Sequence, residues 1–294
     1  VLLAQAGSDA GTVQAIGSHG QTVRHRPPSA RQGDTAFTLQ LGDPNTIAEL
    51  TGITTVADFR RRDVAAGGEG APLAPAFHAA ALACAGVNRA IVNIGGIANV
   101  SLLRGTELRA GFDSGPGNTL LDHWIARHHG AACDLDGQWA AGGKVDAGLL
   151  AQLLRHSYLQ RSGPRSTGKE AFNLDWLDEE LAASPPLAAQ DVQATLTEFT
   201  AATIAAPIEG CEFAVDEVYI CGGGAHNGDL MRRLQGRLAP RLVASIAVIG
   251  MDPDWVEAAT FAWLASRTLA GLPGNAPVVT GARGPRVLGA ISPA

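Results

Sequence analysis

A carboxylate set among glycines after a β-run can take a proton from whatever binds there. Asp113 is such a carboxylate, in Gly111-Phe-Asp-Ser-Gly-Pro-Gly-Asn118. The run before it is strand-like, and Leu120, Leu121, Trp124 and Ile125 recur after it at helical spacing. Asp113 is therefore expected where a strand gives way to a helix, on a turn short of side chains. Ligands of α/β proteins bind at such turns. Two readings stay open on these residues: a reacting carboxylate, or a cap for the helix that begins near Gly117.

Two further glycine turns follow apolar runs. Asn93-Ile-Gly-Gly-Ile-Ala-Asn99 comes after a strand opening at Ile91, and Cys221-Gly-Gly-Gly-Ala-His-Asn227 comes after a strand over 217–221. The latter feeds a helix over 228–238, whose N-terminal N–H groups suit an anion. Ser18-His-Gly-Gln-Thr22 is a polar turn. It reads as a hydrogen-bonded loop, or as donors and acceptors for sugar hydroxyls through His19, Gln21 and Thr22. Asp58-Phe-Arg-Arg-Arg-Asp63 puts Arg60, Arg61 and Arg62 at a strand end, either as an ion-pair knot or as an anion-facing fork. Glu257 in the first turn of a helix over 254–270 suits the helix dipole. His78 reads as a core or interface histidine. Asp134-Leu-Asp-Gly137 lacks the later ligands of a calcium loop and reads as a turn. Gly168-Lys169 is followed by Glu170, which departs from a phosphate-loop pattern.

The elements that must position these groups alternate between strand and helix. Strands are expected over 12–18, 35–41, 53–58 and 243–249, and helices over 45–51 and 74–85. Strand, turn, strand, turn, strand from Ile91 to Asp113 predicts an antiparallel meander. The stretch from 122 to 207 is mostly helical in pattern. With 294 residues, 46% of them apolar, the chain can bury the core of one large domain or two moderate ones. A net charge of −6 invites neither nucleic acid nor an anionic membrane. Cys84, Cys133, Cys211 and Cys221 form no CxxC pair, so free thiols and no metal site are expected. The chain opens on Val1, mid-pattern, and the natural protein is expected to start upstream.

Taken in order, the loops resemble the anhydro-N-acetylmuramic acid kinases of bacterial cell-wall recycling. The matching pieces are Ser18–Thr22, Ala57–Gly68, Gly70–His78, Asn93–Asn99, Gly111–Asn118, Ser166–Gly168 with Phe172 and Asn173, and Cys221–Asn227. The ordered set covers almost the whole chain.

The resemblance implies a two-domain α/β fold of the actin/hexokinase-like (ribonuclease H-like) class with a nucleotide cleft between the domains. The domains are expected at 1–88 plus 275–294, and at 89–274. It also implies ATP and Mg²⁺, an amino-sugar substrate, a cytoplasmic location and, as is common for such enzymes, a homodimer. Water would open the anhydro ring while the sugar's 6-oxygen is phosphorylated. By family position Asp113 is the general base, and His19, Gln21, Thr22, Arg62 and Glu257 face the sugar. Asn93, Gly95, Gly96, Asn99, Gly115, Gly117 and Asn118 would serve the nucleotide phosphates. Gly222, Gly223, Gly224 and Asn227 would serve the adenosine side. The family's opening strand and loop, Met-Ser-Gly-Thr-Ser-Leu-Asp-Gly, is not in this sequence, so the first domain is expected to lack strands. That leaves a second expectation, a sugar-binding remnant impaired in phosphoryl transfer.

Overall fold

The computed structural model describes every residue except Val1, 31–34, 162–165 and 169. Lys169 and most of the loop around it therefore lie outside the described residues. In chain order the elements begin α1 (Leu2–Gln5), β1 (Ile16–Gly17), β2 (Gln21–Arg26), β3 (Phe37–Leu41), α2 (Pro44–Thr51), β4 (Thr55–Ala57), α3 (Arg61–Ala65) and α4 (Ala74–Leu82). Next come β5 (Arg89–Ile94), β6 (Ile97–Arg104), β7 (Glu107–Pro116), α5 (Thr119–His129), α6 (Gln138–Ala141), α7 (Ala147–Leu153), α8 (Leu174–Ala182) and α9 (Ala189–Glu209). The chain closes with β8 (Glu217–Cys221), α10 (Gly228–Leu238), β9 (Leu242–Ser245), α11 (Val256–Leu269), α12 (Pro277–Thr280) and β10 (Ala290–Ser292).

Two compact units result: Val1–Ala80 with Glu257–Ala294, and Ala81–Val256. The boundaries differ from the expected 88/89 and 274/275. On α11, Phe261, Leu264 and Ala265 pack into one core with Val56 and Phe59, so this helix joins the first unit. At the other boundary Arg89 donates to the Leu82 carbonyl and Asn88 to the Ala214 carbonyl, which ties 81–88 to the second unit.

The second unit is built on a five-stranded sheet ordered β7-β6-β5-β8-β9. β5, β6 and β7 form the expected antiparallel meander, and β5, β8 and β9 run parallel. One face of β5 presents Ala90, Val92 and Ile94, which pack with Ala201, Ile204 and Ile208 of α9 and Leu230, Leu234 and Leu238 of α10. The leucines of α10 recur every four residues, which makes one apolar stripe. Truncating any of them to Ala costs about 2–5 kcal/mol. β9 ends sooner than its apolar run suggests, because the Ser245 hydroxyl accepts from the Ala247 amide and turns 246–249 into a 3-10 helix.

The first unit holds a three-stranded sheet, β1-β4-β10, and a separate β2-β3 hairpin. The expected strand over 12–18 shortens to Ile16–Gly17, parallel to β4. The Gly/Pro-rich tail returns as β10, antiparallel to β4.

Candidate functional site

In the second unit the meander brings three polar side chains into one row. Asn93 pairs with Asn99, and Asn99 with Asp113, across β5, β6 and β7. Directly opposite residues share a sheet face. The row lies on the face away from α9 and α10, whose partners are Val92, Ile94 and Val100.

Asp113 itself lies inside β7 rather than on the turn beyond it. The β6–β7 register slips between Ala98 and Asn99, so Ser114 is an extra, bulged residue. A bulge re-aims neighbouring side chains and is frequent beside active sites. After it, Gly115 comes against Thr203 of α9, where a Cβ would stand 3.0 Å from the threonine side chain. Asp113 is 8% exposed. The Tyr158 hydroxyl donates to its carbonyl at 2.7 Å, and the Thr167 amide donates to Oδ2 at 2.9 Å. Thr167 belongs to the Ser166–Gly168 motif, which the sequence reading matched without assigning a role.

The capping alternative fails. α5 begins at Thr119 with Asn118 as its N-cap residue and no side-chain cap bond. The amides leading into it are taken by the neighbouring turn instead: Gly117 donates to the Gly96 carbonyl at 2.9 Å, Asn118 to Gly95 at 2.8 Å and Thr119 to Gly96 at 3.1 Å. The Asn118 side chain donates to the Ile94 carbonyl at 3.2 Å. Thus the amides of Gly117 and Asn118, expected to hold phosphate, already have acceptors. The amides of Gly95 and Gly96 donate to no backbone acceptor among the described residues.

The glycine turns pack closely against their neighbours. A Cβ on Gly117 would overlap the Gly95 carbonyl, one on Gly222 the Asn93 side chain, and one on Gly224 the Ile94 side chain. Gly222 also has φ 75°, a left-handed conformation that favours glycine, and donates to the Pro253 carbonyl at 2.9 Å. Gly223 faces the Asn118 amide group. Asn227 departs from its expected role: its Oδ1 accepts from the Leu230 amide at 3.0 Å and caps α10. His226 pairs with Asp254 at 2.9 Å on an exposed turn, a contact no sequence signal announced. The Asp134–Gly137 turn is a turn, with Asp134 accepting from the Trp139 and Ala140 amides.

In the first unit His19 is the centre. Its Nε2 accepts from Arg60 Nε at 3.1 Å and Nη2 at 2.9 Å, while Arg60 Nη1 donates to the Gly70 carbonyl at 2.8 Å. Arginine can only donate, so His19 is neutral with its proton on Nδ1. Burial first, and the Arg60 charge second, push its pKa down to about 4. The His19 ring packs on Phe261 of α11 at 4.6 Å between centroids. Glu257 lies one turn earlier, on the same stripe of α11 as Phe261, and is exposed. Gln40 donates to the Thr22 hydroxyl across the hairpin and to the Thr38 hydroxyl on its own strand, and Gln21 is exposed.

Among the three arginines the structure brings Arg60, not Arg62, to His19. Arg61 reaches Asp58 at 3.4 Å, and Arg62 lies exposed on α3 with no side-chain partner among the described residues. Sequence could not separate them, because the choice depends on where α3 begins. His78 is fully buried, as a core histidine.

A five-stranded sheet ordered 3-2-1-4-5 with only the second strand reversed, glycine turns at its edge and a buried carboxylate beside them define an α/β protein of the actin/hexokinase-like class. The family model for anhydro-N-acetylmuramic acid kinase matches residues 1–294. An anhydro-N-acetylmuramic acid kinase of Xylella fastidiosa is 55% identical over 293 residues, 100% of this chain and 76% of that protein. One of Pseudomonas putida is 53% identical, over 100% of this chain and 79% of the relative. The chain belongs to the anhydro-N-acetylmuramic acid kinase family. Among solved structures, the activator of the 2-hydroxyisocaproyl-CoA dehydratase from Clostridium difficile with bound ADPNP aligns with a TM-score of 0.39 at 14% identity, covering 65% of this chain and 62% of that one.

Proposed function

We propose that this protein opens 1,6-anhydro-N-acetylmuramic acid with water and phosphorylates it from ATP, giving N-acetylmuramic acid 6-phosphate for peptidoglycan recycling in the cytoplasm. Family membership supports the reaction. The observation that carries its assignment to a residue is Asp113, a buried carboxylate gripped by the Thr167 amide beside the glycine turns.

Asp113 takes one proton from the attacking water. The water oxygen bonds to the anomeric carbon, the bond from that carbon to the bridging 6-oxygen breaks, and the 6-oxygen accepts the γ-phosphoryl group. The electrons of the broken phosphoanhydride leave with ADP, and the proton on Asp113 passes to solvent. His19, Gln21, Thr22 and Glu257 supply hydrogen bonds to the sugar. Arg62 pairs with its lactyl carboxylate by family position, with Arg60 holding His19 in place.

The glycine turns suit ATP because a phosphate needs donors and close backbone approach. Gly95 and Gly96 provide amide donors, while Gly222 and Gly224 let the second turn pack against Asn93 and Ile94 beside them. No three His, Cys, Asp or Glu side chains gather into a metal cage among the described residues. Mg²⁺ usually arrives on substrate phosphates with its own waters, so this donor set fits an ion carried by the nucleotide. It would neutralise charge on the phosphates.

Asp113→Asn should lower turnover by about 10²–10⁴-fold while the sugar and a non-hydrolysable ATP analogue still bind, as read by calorimetry. Normal turnover in that variant sinks the assignment. Sugar binding without analogue binding in the unmutated protein would instead make it the remnant.

A further inference from the structure

The row that holds Asp113 contains a buried atom left unpaired among the described residues. Asn99 Oδ1 is buried and has no hydrogen-bond partner among the described residues. Asn99 is the residue directly opposite Asp113 on the neighbouring strand. A buried amide oxygen left unpaired is destabilising, so such an atom in a folded site calls for a donor.

We infer that Asn99 holds the attacking water together with Asp113, and so serves the hydrolytic half of the reaction rather than the nucleotide. This rests on the reading of Asp113 as general base. A water has two O–H bonds. Asp113 accepts the one that will be broken; Asn99 Oδ1 accepts the other, which stays with the oxygen and becomes the new anomeric hydroxyl. With both O–H bonds pointed at the sheet, a lone pair is left aimed away from it, toward the anomeric carbon.

The spacing suits this. Directly opposed residues on antiparallel strands have Cβ atoms about 4.5–5.5 Å apart, a gap that one water spans between two side-chain oxygens. The β7 bulge falls between this pair and the next, Ala98 with Gly115, so it sets which β7 residue stands opposite Asn99. A carboxylate accepts several hydrogen bonds at once, so the bond from the Thr167 amide does not preclude one from a water. The neighbour in the row, Asn93, is spoken for differently: its side chain lies against Gly222. Of the two asparagines flanking the Gly95–Gly96 turn, Asn93 belongs with the nucleotide turns and Asn99 with Asp113.

The test uses the full chain and its Asn99→Ala and Asn99→Asp variants. Turnover of 1,6-anhydro-N-acetylmuramic acid is measured beside the Kd of a non-hydrolysable ATP analogue and of the sugar. In Asn99→Ala kcat should fall on the order of 10²-fold, with both Kd values changed by less than about twofold. Asn99→Asp keeps an acceptor in place and should recover at least about tenfold of that loss. It should also move the acid limb of the kcat profile to higher pH, because a second carboxylate disfavours ionisation of the first. A purely structural Asn99 would not give a loss confined to kcat that an acceptor at the same position restores. Unchanged kcat in Asn99→Ala overturns the inference, as does an analogue Kd weakened about tenfold with kcat intact, which would return Asn99 to the nucleotide. An unmutated protein without turnover refutes the kinase reading itself, and the role of Asn99 with it.

Discussion

His19 and Arg60 form a contact that only one protonation state permits. Nε2 accepts two guanidinium N–H bonds, so a proton there would break both. Arg60→Ala should therefore raise the His19 pKa from about 4, but not to the ordinary 6.5, because burial, the larger cause, remains. Proton NMR titration of the His19 ring reads this directly, and a pKa that stays at about 4 refutes the coupling. The same substitution should weaken sugar binding about tenfold through a displaced His19. Arg62→Ala tests the assigned role of that arginine. If Arg62 meets the lactyl carboxylate, it lowers affinity for the intact sugar but not for an analogue lacking the lactyl group. The composition of the arginine cluster was legible in the sequence. Which guanidinium turns inward was not, since it depends on the contact with a loop 41 residues away.

The glycine turns allow a sharper distinction between building a site and serving a ligand. Gly117 has no room: a Cβ there would meet the Gly95 carbonyl that receives the Asn118 amide. Gly117→Ala should lower Tm and the affinity for ATP together. Gly95 has room, since the nearest atom to its Cβ would be the Ile97 carbonyl oxygen at 3.7 Å. Gly95→Ala should therefore leave Tm unchanged while weakening the ATP analogue, because the added methyl stands where backbone meets phosphate. Differential scanning calorimetry and titration on the two variants check this. A fall in Tm for Gly95→Ala, or unchanged analogue affinity, would show that the turn serves the fold alone.

Such elements read well from sequence where local chemistry dictates them. The meander follows from alternating apolar runs broken by glycine, and the α10 stripe from leucines every four residues. What local pattern could not supply is tertiary. Phe261 and Leu264 take α11 into the first unit. The bulge at Ser114 leaves Asp113 within a strand. Asn227, which looks like a ligand in a glycine turn, spends its oxygen on the start of α10.

At the scale of the whole molecule, one fully buried and two half-buried histidines tie stability to pH. Burial holds His78 down at about 3, and burial followed by the Arg60 charge holds His19 and His25 at about 4. All three are neutral in the fold, whereas in the unfolded chain they would titrate near 6.5. Below that pH the unfolded chain binds more protons than the native one, so stability rises with pH through the window and falls as pH drops from about 6.5 toward 4. Asp58 acts in the opposite sense: burial raises its pKa, so near and above the usual carboxylate range its native form holds the proton more tightly than the unfolded chain does. His78 is fully buried and gives the largest single share, on the order of 5 kcal/mol if its whole shift is expressed. Urea unfolding at pH 7 and pH 5 should show the loss as a lower midpoint at unchanged slope. His78→Met, which fills the space without a titrating group, should flatten the dependence. A variant as acid-sensitive as the parent would move the effect to His19 and His25, where Arg60→Ala, by raising the native pKa, should flatten it instead.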